Sequence, residues 1–81
     1  MKQDNTKQKI KLDYPITTAD GTEYTELSVR RVTVGDMRSV AHLKTDVEQE
    51  IAMVAKITGL VPEDVDLLDM ADYRKVQDTF R

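Results

Sequence analysis

From Lys9 onward the apolar positions fall into two strand-like runs followed by several helix-like ones. Ile10, Leu12, Tyr14 and Ile16 alternate with polar residues or Pro15, and Thr25, Leu27 and Val29 alternate in the same way after Asp20-Gly21. A period of two is that of a half-buried strand. Asp-Gly between two such runs is a two-residue hairpin signal, because both central positions of that turn take positive φ. With Asp20-Gly21 as the turn, opposed residues have numbers that sum to 41, pairing Ile16 with Thr25, Tyr14 with Leu27 and Leu12 with Val29. One face is then apolar, and the other, with Lys11, Asp13, Glu26, Ser28 and Arg30, faces water. Pro15 has no N–H and belongs on an outer, unpaired side. A lone hairpin is marginal in water, so its apolar face must be covered by helices or by another copy.

The helical part opens at Thr33, an N-cap with Asp36 at the third position and a short apolar stripe of Met37, Val40 and Ala41. Gly35 weakens this helix by about 1 kcal/mol relative to Ala. Thr45-Asp46-Val47-Glu48 reads as a capping box, and Val47, Ile51, Val54, Ala55 and Thr58 follow at helical spacing. Met53, Ile57 and Leu60 widen the apolar arc of this helix beyond one seam. Gly59 closes it and Pro62 opens the next segment. Glu63, Asp64 and Asp66 suit the first turn of a new helix. Asp69, with Asp72 three residues on, repeats the capping signal for a last helix carrying Met70, Tyr73, Val76 and Phe80.

These elements predict an α+β fold, an N-terminal antiparallel β-hairpin followed by three to four short α-helices. Residues 1–8 are polar and without periodicity and are expected to form a flexible tail. Residues 9–81 then make a single small domain, with the hairpin in 9–32 and the helical part in 33–81. At 81 residues such a domain buries a modest fraction of its surface. Aromatics are 5% of the chain and Trp is absent, so Val, Leu, Ile and Met must build the core, which leaves room for a partner or self-association to complete it.

Composition narrows the chemistry. The chain has no Cys, which excludes disulfides and thiolate sites. It has no apolar run of membrane-spanning length and no signal-peptide core, and it reads as intracellular. A net charge of -3 opposes non-specific attraction to nucleic acid. Its one histidine, His42, has no nucleophile or orienting partner placed by any motif, so no catalytic residue is assigned. Glu48 and Glu50 are two apart and do not share a helix face. The acids from Glu63 to Asp72 lack the spacing and the glycine of an EF-hand loop, and helix capping accounts for them, so no metal site is assigned. No glycine-rich phosphate loop is present and no cofactor is expected. Arg30, Arg31 and Arg38 with the tail lysines read as a solvated face. A helix-turn-helix would place Glu63, Asp64 and Asp66 against phosphates, which argues against it.

The order of hairpin, Leu27-Ser28-Val29-Arg30-Arg31, and then the block from Glu50 through Gly59 and Pro62 to Tyr73 resembles the small tail assembly chaperones of contractile-tailed, Mu-like phages. The resemblance covers Ile10 to Phe80, and its most specific parts are Leu27 to Arg31 and Gly59 to Tyr73. It implies a non-enzymatic protein that binds the phage tape measure protein and keeps it soluble before the tail tube polymerises. It further implies action in the host cell cytoplasm, absence from the mature virion, and a longer frameshifted product sharing this N-terminal part. The alternatives are a structural tail component retained in the virion and a small DNA-binding regulator. Met53, Ile57, Leu60, Tyr73 and Phe80 are the candidate partner-binding or homo-oligomer surface, with Met53, Ile57 and Leu60 as the surplus stripe of the central helix.

Overall fold

The computed structural model describes residues 8–80. Strand β1 (Gln8–Thr17) and strand β2 (Glu23–Val29) form an antiparallel hairpin. Helices α1 (Val34–Val40), α2 (Asp46–Thr58), α3 (Pro62–Val65) and α4 (Met70–Gln77) follow, and a 3₁₀ turn (Asp78–Phe80) closes the chain. The expected α+β order is therefore present. Of the tail expected over residues 1–8, Gln8 is the first residue of β1, paired with Val29, and the rest lies outside the described residues.

The hairpin turns where Asp20-Gly21 places it, but by a longer loop. The amide of Gly21 donates to the Thr18 carbonyl and the amide of Thr18 to the Thr22 carbonyl, both at 2.9 Å. Gly21 alone in the loop has positive φ, at 89°. This is a three-residue loop with glycine in the left-handed position, and the Asp20 carboxylate fastens it by accepting from the Thr22 amide at 3.0 Å. The extra loop residue moves the register by one, so Ile16 faces Tyr24 instead of Thr25.

A larger departure follows along β1. Four residues, Leu12 to Pro15, stand across from Thr25 alone, and pairing resumes with Lys11 opposite Glu26 and Ile10 opposite Leu27. The expected pairs of Tyr14 with Leu27 and Leu12 with Val29 are not formed. The cause is a bulge whose free backbone donors are claimed from elsewhere. The amides of Asp13 and Tyr14 donate to the two carboxylate oxygens of Asp72 on α4, at 2.9 and 3.0 Å. Pro15, which has no N–H to satisfy, comes next. Lys75, one turn along α4, donates to the Lys11 carbonyl at 2.9 Å and lies 3.1 Å from Asp13 and 3.3 Å from Asp72. Thus α4 takes up backbone groups that β1 does not offer to β2.

Leu12, Ile16, Leu27 and Val29 nonetheless point into the core, where they meet Val54, Ala55 and Ile57 of α2, Leu60, Val65 and Leu68 around α3, and Val76 of α4. Tyr14 is 59% exposed, because the bulge turns it outward. The buried face of α4 is also rotated from the expected one. Asp72 and Val76 are fully buried, Tyr73 and Phe80 are half-buried, and Met70 faces solvent. Asp72 is thus no capping residue. Asp69 caps α4 by accepting from the Ala71 amide at 2.9 Å, while Asp72 joins the helix to the strand.

Candidate partner-binding groove

The α1 side of the molecule is organised by Arg30 and Asp36. Thr33 caps α1 by accepting from the Asp36 amide at 3.2 Å, and Asp36 returns the bond by accepting from the Thr33 amide at 2.9 Å. This is the reciprocal capping box. Arg30 grips the same carboxylate with two guanidinium bonds of 2.7 and 2.9 Å, a fork that fixes orientation as well as charge. The bonds from Arg30, followed by those from Thr33, hold the Asp36 carboxyl well below the usual carboxylate range against the opposing effect of burial. The amide of Arg30 also donates to the Ile57 carbonyl at 3.0 Å. The end of β2, the start of α1 and the last turn of α2 are therefore locked together.

Helix α2 begins at Thr45, whose hydroxyl accepts from the Glu48 amide at 3.0 Å. It ends at Gly59, with φ of 80° and its amide on the Ala55 carbonyl. No neighbouring atom would obstruct a Cβ at Gly59, so the left-handed backbone alone calls for glycine there. The Gln49 side chain donates to the Leu43 carbonyl at 3.0 Å and holds the connection from α1.

Between α1, α2 and the 3₁₀ turn lies a groove of about 290 Å³, lined by Met37, Val40, Ala41, Asp46, Gln49, Glu50, Met53 and Phe80. Val40 is buried but stands apart from the main core cluster, and Met37 is 57% exposed. At one side of the groove, Glu50 accepts from the Tyr73 hydroxyl and from the Gln77 amide group, each at 2.9 Å. Desolvation, then the hydrogen bond to Glu50 and the charge of Glu50, raise the Tyr73 phenol above its ordinary range and keep it a donor. Among the described residues no ion pair reaches Glu50 or Asp46.

The structure divides the five candidate surface residues. Met53 and Phe80 line the groove, and Tyr73 stands half-buried behind it with its hydroxyl on Glu50. Ile57 and Leu60 are corrected to core positions, 2% and 7% exposed. The reason is α3, which starts at Pro62 and returns over α2, bringing Val65 and Leu68 onto the arc that looked surplus. Conversely, Val47, expected inside, is 64% exposed. The residues not placed on the candidate surface are Val40 and Ala41, read only as a helix stripe with Met37, and Glu50, weighed only as half of an acid pair.

Other candidate chemistry also finds its place. Glu63 and Asp64 occupy the first turn of α3, and among the described residues no group of three or more acids, His or Cys is placed to hold a metal ion. His42 is exposed in the turn after α1. Arg30 is committed to Asp36 and Lys9 lies 3.5 Å from Glu26, which leaves less of the basic face that a nucleic acid would need. The segment after Pro62 is too short, at four helical residues, to serve as a recognition helix. No helix among the described residues is long and apolar enough to cross a membrane.

What fold and groove define together is a small α+β domain that presents apolar side chains on a concave surface. The family model of phage tail assembly chaperone proteins, E, or 41 or 14, matches residues 9–81, and the chain belongs to that family. No curated protein and no solved structure matches the chain.

Proposed function

We propose that this tail assembly chaperone binds the phage tape measure protein and keeps it soluble until the tail tube polymerises around it. The observation that carries this reading within the family is the groove between α1 and α2, whose apolar lining is Met37, Val40, Ala41, Met53 and Phe80. Methionine thioethers adapt to apolar partners of varied shape, and an amphipathic helix laid in a trough between two helices is a recurrent mode of recognition. In the host cytoplasm the chain shields such helices non-enzymatically and is left out of the finished virion.

Co-expression tests the proposal. The tape measure protein is expected in the soluble fraction, co-purifying with this chain, when both are made together, and in the pellet when it is made alone. An unchanged partition with no co-purification would refute it. Met53→Asp, placed in the groove, is expected to abolish co-purification while the far-ultraviolet circular dichroism of the chaperone stays as it was.

A further inference from the structure

The groove has a spacing and a charge that say more about its occupant. On α1 and its C-cap it is lined by Met37, Val40 and Ala41, and on α2 by Asp46, Gln49, Glu50 and Met53. Both sets follow the three- and four-residue steps of one helix face, so the two helices offer adjacent ridges with a trough between them. Ridges of this kind accept a third helix. A volume of about 290 Å³ lies at the small end of ligand pockets, which run from about 300 to 1,000 Å³. It is room for anchoring side chains of a helix lying across it.

Among the described residues of the lining, the charged ones are acids, Asp46 and Glu50. Glu50 is half-buried, and among the described residues its two hydrogen bonds come from neutral donors on α4. Those bonds orient the carboxylate without neutralising it. A carboxylate offers about four acceptor positions, and each oxygen of Glu50 accepts one bond from the described residues. A negative charge at the edge of an apolar trough, with no ion pair among the described residues, is costly to cover with an apolar side chain and favourable to cover with a cation.

We infer that the groove takes an amphipathic helix whose apolar face carries one cationic side chain, Lys or Arg, seated against Glu50. The inference rests on the reading that this groove receives the partner, and it names the chemistry that the partner segment must have. The cation selects among amphipathic helices, while Met37, Met53 and Phe80 supply non-selective contact.

The test uses the full-length chain and two synthetic helical peptides of about 20 residues, identical but for one position in the middle of a Leu/Ala face that is Lys in one and Gln in the other. By fluorescence anisotropy the Lys peptide is expected to bind about 10-fold more tightly, with the preference shrinking as salt is raised. Glu50→Gln, which keeps an acceptor for Tyr73, is expected to equalise the two. Tyr73→Phe, which removes the hydroxyl donor but leaves the carboxylate, is expected to retain the preference. Repeating the titrations with Arg81→Ala removes the chain's own last cation from the comparison, and the preference is expected to persist. Equal binding of the two peptides by the wild type, a preference that survives Glu50→Gln, or binding of neither peptide would overturn the inference. Tape measure co-purification that persists with equal peptide affinities would leave the proposed function standing while the cation requirement fell. Peptide binding unaffected by Met53→Asp would instead show that the groove is not the site.

Discussion

Helix α4 meets the hairpin through a carboxylate, whereas α1 meets α2 across an open trough. At the first contact Asp72 is fully buried, and its two oxygens accept from the strand amides of Asp13 and Tyr14. At the second, Val40 is buried, Met37 is 57% exposed, and the groove remains open between them. Polar groups therefore make the rigid join, and apolar groups line the accessible one. A buried carboxylate with fixed donors tolerates one geometry, because any other leaves charge or amides unsatisfied. Methionines along an open trough tolerate many. The division separates the two tasks of a chaperone, with the Asp72 join holding α4 to the hairpin and the adaptable methionines lining the trough between α1 and α2.

The largest expected effect is at Asp72. Asp72→Ala leaves two amides of the bulge without an acceptor and Lys75 without one of its carboxylates, and it is expected to destabilise the fold by about 3 kcal/mol. Urea denaturation measures the loss, and hydrogen exchange at Asp13 and Tyr14 is expected to speed up more than exchange within α2. If stability fell by less than about 1 kcal/mol, the join would not be the rigid half of the molecule. Burial is the largest single influence on this carboxyl and pushes its pKa up, but the Asp13 and Tyr14 amides with Lys75 outweigh it and hold the group below its ordinary value. Its charge is therefore part of the fold at neutral pH.

That join also explains where reading the sequence fell short. The turn at Asp20-Gly21, the cap at Thr33 and the closure at Gly59 rest on residues within a few positions of one another, and all three are present. The register of β1 is fixed by a carboxylate 58 residues from Tyr14, and no local alternation carries that information. Ile57 and Leu60 looked spare because α2 was judged alone, and only the return of the short α3 uses them. Met37, Val40 and Ala41 were visible as a stripe. What they face depends on the 3₁₀ turn bringing Phe80 to α1 and α2, and on Glu50 being held by Tyr73 and Gln77, 23 and 27 residues away.

An intermediate effect is expected where the two halves are stitched together, at Arg30 and Asp36. Arg30→Ala removes both guanidinium bonds and leaves the Thr33 cap in place. The Arg30 side chain is 36% exposed, so solvent screening reduces the loss to about 1–2 kcal/mol, and Arg30→Lys is expected to recover only part of it because a lysine cannot reproduce the fork. The folded-state pKa values of Asp36 and Asp72 are both depressed. The unfolded chain therefore binds more protons at low pH, and their stabilisation is complete above the unfolded carboxylate value of about 3.9 and lost as pH falls below it. The melting temperature is expected to lose this contribution progressively below about pH 4, with a shallower acid decline in Asp36→Asn. An equally steep decline in that variant would mean the stitch contributes little.

The smallest expected effect on stability, and the sharpest test of the contrast, is at Met37. The side chain is 57% exposed at the rim of the groove and satisfies no buried polar group. Met37→Ser is expected to change the unfolding free energy by less than about 0.5 kcal/mol. The same substitution removes an adaptable apolar contact from the trough, and recovery of the tape measure protein on the immobilised chaperone is expected to fall several-fold. Stability and recovery thus move independently at Met37, whereas at Asp72 recovery should fall only as far as the folded fraction does. A Met37 variant that unfolded at markedly lower urea would place that side chain in the structural half of the molecule. Loss of recovery would then report on folding at both sites, and the division between a rigid polar join and an adaptable apolar surface would collapse.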